Sequence, residues 1–141
     1  NRSTLVDRVR AIGDLANQIT IRNTDGRAII MDFADDRSTF MYIDPPYVKA
    51  GSQLYLNAFE HRDHIALAKV VTAVRGAHWL MTYDTADLIE KLYSGHFQRR
   101  YGLNYSARYP GRADELMIAS RSVAAELKVL QLVASDAATG T

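Results

Sequence analysis

Four consecutive residues, Asp44-Pro45-Pro46-Tyr47, carry the chemistry that is easiest to read in this chain. They close the apolar run Thr39-Phe40-Met41-Tyr42-Ile43, which predicts a strand halted by two prolines. Asp and Pro are also ordinary turn residues, so the motif draws its weight from standing at the carboxyl end of a strand. An amino group on an aromatic ring is a poor nucleophile, because its lone pair is delocalised into the ring. The Asp44 carboxylate and the Pro45 carbonyl can each accept one of its two N–H hydrogens. That grip aims the lone pair outward and favours the pyramidal geometry that attack requires. Proline suits the second position because its fixed φ holds the carbonyl in place. Tyr47 offers a flat face on which a planar base can stack, and Asp44 stabilises positive charge developing on the attacking nitrogen.

The elements that must position these residues alternate in type. Leu5, Val9, Ile12 and Leu15 recur on one helical face and predict a helix over 4–17, with a capping-box pattern at Thr4-Leu5-Val6-Asp7. Ile19-Thr20-Ile21 predicts a short strand, and residues 26–33 a short helix. A second strand spans 39–43 and a loop follows over 48–59. An amphipathic helix over 62–75 is closed by Gly76 acting as a cap. A strand covers 78–83 and a helix 85–93. The stretches 97–109 and 115–120 pair as a β-hairpin around Pro110-Gly111, and a last helix spans 122–133. The expectation is an α/β fold with a largely parallel sheet, helices on its faces and the hairpin as an antiparallel edge. Residues 1–134 are expected to form one folded unit, with 135–141 as a flexible tail. In such sheets ligands bind off the carboxyl ends of the strands. Asp25, Asp44 and Asp84 each stand just past a predicted strand, which predicts one shared crevice.

Composition narrows the function classes. The chain has 141 residues, 48% of them hydrophobic, with seventeen basic and sixteen acidic side chains. That mix excludes a disordered tail, a coiled coil and a collagen-like chain. No run approaches the roughly 18–20 apolar residues of a membrane span, so no membrane partner is expected. The absence of cysteine removes disulfides, thiolate zinc sites and cysteine nucleophiles, and fits a reducing cytoplasm. A net charge of +1 gives no global attraction to nucleic acid, so such binding needs a local patch.

With these residues in view, the chain resembles the amino-methyltransferases marked by Asp/Asn/Ser-Pro-Pro-Tyr/Phe, and within them the D12-class DNA N6-adenine methyltransferases. The resemblance runs from about Leu5 to Ser120. Besides Tyr42-Ile43-Asp44-Pro45-Pro46-Tyr47 it rests on Ile21-Arg22-Asn23-Thr24-Asp25, Tyr55, Phe59, His61-Arg62-Asp63-His64 and Met81-Thr82-Tyr83-Asp84. The hairpin residues Tyr105-Ser106-Ala107, Gly111-Arg112 and Glu115-Leu116-Met117-Ile118 complete it. It implies a partial Rossmann-like sheet, S-adenosylmethionine as methyl donor, and an adenine flipped out of double-stranded DNA as acceptor. By position, Asp44, Pro45, Pro46 and Tyr47 are then catalytic, and Asp25 and Asp44 face the cofactor. Asp25 falls where the family places an acid that accepts a hydrogen bond from the cofactor's adenine. The next position, often aromatic in the family, is Gly26 here.

The segment 96–112 holds Arg99, Arg100, Arg108 and Arg112 with Tyr101, Tyr105 and Tyr109 interleaved and no acid. Lys49, Tyr105, Arg108 and Arg112 are the expected DNA contacts, against the simpler reading of a charged edge that discourages sheet pairing. His61 and His64 can share a helix face, but a metal needs more ligands, so no metal is expected and the expected role is helix-start hydrogen bonding or packing. Asp84 is expected to cap the helix after it, and Trp79 to sit in the core.

Two family features are missing from the string. It contains no Phe-x-Gly-x-Gly cofactor loop, and no target-recognition segment between such a loop and the Asp-Pro-Pro-Tyr motif. The chain starts at Asn1 and runs straight into helical sequence, so it reads as the carboxyl-terminal part of a methyltransferase, inactive or incomplete alone. Two rival readings keep part of the picture. One is an N-methyltransferase acting on RNA adenine or a protein glutamine. The other is a non-catalytic remnant, or a subunit that works only with a partner.

Overall fold

In the computed structural model the described residues are 2–49, 59–105 and 111–128, with backbone alone for 103–105 and 111–113. Helix α1 (Arg2–Asp14) runs into a 3-10 turn (Ala16–Gln18), and α2 spans Gly26–Asp32. Strand β1 (Phe40–Ile43), helix α3 (His61–Ala73) and strand β2 (His78–Asp84) follow, then α4 (Asp87–Leu92). Strands β3 (Phe97–Tyr105) and β4 (Gly111–Ala119) precede α5, described over 121–128. The expected tail at 135–141 lies outside the described residues.

Among the described residues the sheet has four strands, in the order β1-β2-β4-β3. β1 runs parallel to β2, with Ile43 opposite Met81. The other two pairings, β2 with β4 and β4 with β3, are antiparallel. The expectation of a largely parallel sheet therefore fails. Ile19-Thr20-Ile21 forms no strand, and Ile21 stays 90% exposed. Local alternation is not enough for a strand when no neighbour supplies a ladder. β4 instead inserts between β2 and β3, which leaves β3 on the edge.

β2 lies between two neighbours and is deeply buried. Trp79, Met81 and Tyr83 alternate on one face, while Thr82 faces the other. Ile30 of α2, Leu67 and Val71 of α3, Ile89 of α4 and Leu116 and Ile118 of β4 complete the core. α3 starts on a reciprocal capping box between Glu60 and Asp63, and buries Leu67, Ala68 and Val71 one turn apart. It is the crossover that parallel neighbours require, so β1, α3 and β2 form one βαβ unit with Asp44 directly past its first strand.

Several local expectations are corrected. α1 begins at Arg2, ahead of the capping-box pattern, and buries none of its residues. α3 ends at Val74 in extended geometry, and no described glycine has positive φ. Gly76 is needed instead because a Cβ there would fall 2.2 Å from the Asp35 carbonyl oxygen. The backbone N–H groups of Arg75, Gly76 and Ala77 all reach the Ala34 carbonyl, which draws the two segments into that close approach. Trp79 is core, as expected, at 2% exposure.

Candidate functional site

The carboxyl ends of β1 and β2 lie side by side, and the parallel register brings Asp44 level with Thr82. The buried Thr82 hydroxyl donates to Asp44 Oδ1 at 3.0 Å. Since that hydroxyl has one hydrogen, the 3.1 Å contact between Thr82 Oγ1 and Tyr42 Oη has Tyr42 as donor. A chain from Tyr42 through Thr82 thus fixes the Asp44 carboxylate while leaving the residue exposed to a ligand. Pro45 is buried, and Pro46 and Tyr47 are half-buried.

The loop after the motif is tied down from β2. Asp84 accepts from the backbone N–H of Val48 at 2.9 Å and of Lys49 at 2.6 Å. Asp84 was expected to cap the next helix, but that helix has Ala86 as its N-cap with no side-chain cap. Two peptide N–H groups from a distant loop hold the carboxylate instead. The Lys49 ammonium donates to the Thr85 carbonyl, so this expected DNA contact is engaged with the same strand end.

Aromatic rings pack beneath Tyr47. Its ring centroid lies 6.4 Å from that of Tyr83, and Tyr83 Oη meets His64 Nδ1 at 2.9 Å. Phe59 stands edge-on to His64 at 5.4 Å. Burial pushes the Tyr83 phenol well above its ordinary range and holds His64 below the usual histidine range. Both groups are therefore neutral, and their hydrogen bond braces the floor under the motif.

A cavity of about 650 Å³ opens beside Asp44. Asp25, Gly26, Phe33, Asp44, Pro45 and Pro46 are among the residues that line it. Two of the three aspartates expected to share a crevice do so, and Asp84 is not in its lining. Asp25 caps α2 by accepting from the Arg27 N–H at 2.9 Å. The Arg27 guanidinium also pairs with it, Nη2 standing 2.6 Å from Oδ2. Hydrogen bonds from Arg27 hold the Asp25 carboxyl below the usual carboxylate range.

On the other flank, Arg100 pairs with Glu90 at 2.5 Å, and Tyr101 donates to the buried Glu115 at 2.7 Å. Tyr105 and Arg112 are placed by backbone alone, at the ends of β3 and β4, and Arg108 lies outside the described residues. Thr82, Tyr83 and the loop-holding role of Asp84 were not legible as site features. Their signal is the parallel register, which sequence spacing does not display.

A search of curated proteins finds no match to the chain. The family model for D12 class N6 adenine-specific DNA methyltransferases matches residues 3–105. That span contains β1, β2, the motif and the acid at Asp25, and it covers well over half of the sequence. The chain belongs to the D12 class of N6 adenine-specific DNA methyltransferases.

Proposed function

We propose that the crevice at the ends of β1 and β2 presents a flipped adenine of double-stranded DNA for methylation at N6. The observation that carries this reading is the exposed Asp44 carboxylate, fixed by Thr82 beside the Pro45 carbonyl at the rim of a ligand-sized cavity. The residues present fit S-adenosylmethionine. The cavity volume lies within the usual range for small-molecule sites, about 300–1,000 Å³. Asp25 brings an acceptor, Ile30 and Phe33 bring apolar lining, and a Cβ built at Gly26 meets nothing within 4 Å. When bound, the cofactor supplies a methyl group activated by a sulfonium.

Asp44 and the Pro45 carbonyl accept the two amino hydrogens of the adenine. The nitrogen lone pair is thereby directed away from the strand ends, and Asp44 stabilises the positive charge that grows on nitrogen. Tyr47, backed by Tyr83, stacks on the base. Asp84 keeps the loop at Val48 and Lys49 from drifting.

A Rossmann-like sheet is completed, in this reading, by a glycine-rich cofactor segment that the family carries and this string does not contain. Among the described residues β1 stands at the edge of the sheet, which is where a further strand can pair. Activity then depends on that segment. The acceptor is tested by supplying duplex DNA, RNA and protein with labelled S-adenosylmethionine and a polypeptide holding both parts. Label at adenine N6 in duplex DNA is expected. Label in RNA or on glutamine would overturn the acceptor while keeping the chemistry.

A further inference from the structure

A second cavity, of about 1020 Å³, lies at the opposite end of β2, against His78 and Trp79. At about 3.3 Å of rise per residue, it sits roughly 15 Å along the strand from the Asp44 site. We propose that this pocket binds a phosphate-bearing small molecule of nucleotide size.

The charge around the cavity is segregated by sign. Arg37, Arg75, Arg121 and Lys128 reach it from the loop after α2, the turn after α3 and both ends of the described part of α5, and none of the described lining residues is a carboxylate. None of the four joins an ion pair among the described residues. In a chain with seventeen basic and sixteen acidic side chains, four cations around one void repel each other unless an anion joins them. Guanidinium forks match phosphate geometry. His96, also in the lining, is held below the usual histidine range first by burial and then by Arg121 and Arg75, so both cations act on the pocket interior.

The floor is built rather than incidental. Ser120, buried, accepts from the Trp79 N–H at 3.2 Å and lies 3.1 Å from the Ser122 hydroxyl. Ser122 in turn meets His78 Nδ1 at 2.6 Å. These hydroxyls stand at the start of α5, where the first N–H groups of a helix favour an anion. Ala77, Trp79 and Ala124 add buried apolar surface. A free phosphate would leave that surface and most of the volume uncovered, whereas a phosphorylated ligand fills both. A recessed floor also suits a small ligand better than the backbone of a duplex.

Trp79 is the chain's one tryptophan, so its emission reports on this pocket. The probes are uridine monophosphate, uridine, inorganic phosphate and a short DNA duplex, titrated into the full chain. Uridine monophosphate is expected to change the emission saturably, with Kd below about 1 mM, while phosphate binds more weakly and uridine has no effect. Arg37→Glu and Arg121→Glu should each weaken binding by about tenfold or more with the melting temperature retained. The proposal is overturned by no saturable change up to about 10 mM, by equal binding of uridine, or by full binding in the double variant. It is also overturned if duplex DNA alone perturbs Trp79 in an Arg121-dependent way, which would make this surface a DNA contact.

Discussion

Thr82 donates to Asp44 and accepts from Tyr42, so the motif's carboxylate is aimed by a strand that lies far from it in sequence. Thr82→Val removes the donor at nearly constant volume. Outer hydrogen-bond partners of this kind typically matter by about 10- to 100-fold. In a polypeptide that includes the glycine-rich segment, the expected result is a kcat about tenfold lower with KM for S-adenosylmethionine unchanged, and recovery in Thr82→Ser. An unaltered kcat in Thr82→Val would deny Thr82 this positioning role. His64 gives a second test at the same scale. Burial holds it below the usual histidine range, helped by His61 and opposed by Asp84 and Asp63. The unfolded chain protonates such a residue near pH 6.5, so below that pH the unfolded state binds the extra proton. The stability His64 contributes is complete above about pH 6.5 and is lost as pH falls through the window beneath it. His96 is shifted in the same direction. Thermal unfolding should therefore show the midpoint falling between about pH 7 and pH 5, with a shallower slope in His64→Gln. An identical slope in that variant would contradict the assignment.

Periodicity made much of the secondary structure legible. The apolar spacing in 62–75 and the β-branched or aromatic runs at 39–43 and 78–83 give α3, β1 and β2 within a residue or two. What failed depended on neighbours. Ile19-Thr20-Ile21 has the composition of a strand without a partner, and the stripe Leu5, Val9, Ile12 forms on α1 without being buried. The insertion of β4 beside β2 is a long-range pairing that no local signal encodes. Gly76 was legible as a special residue, for a different reason than its structural one. Gly76→Ala should lose about 1–3 kcal/mol, because backbone must move to admit a Cβ, whereas Gly26→Ala, in open space at the start of α2, should gain up to about 1 kcal/mol. Urea unfolding checks both. Equal stability for the two variants would contradict the close approach to Asp35.

At the scale of the described molecule, the sheet sets two cavities at opposite ends of β2. The Asp44 end was legible because Asp-Pro-Pro-Tyr is a contiguous string. Asp25, nineteen positions earlier, joins it through the placement of α2. The far pocket was not legible, since its cations come from three separate segments. Among the described residues β1 ends the sheet, and the proposed glycine-rich segment would pair along that edge. The central claim is that Asp44 holds the amino group that is methylated. The most direct measurement compares Asp44 with Asp44→Ala for labelled methyl transfer to duplex DNA, in a polypeptide that includes the glycine-rich segment. The expected result is a loss of about 100-fold or more in kcat, with DNA affinity and melting temperature retained. A turnover within about twofold of the unaltered protein would contradict it.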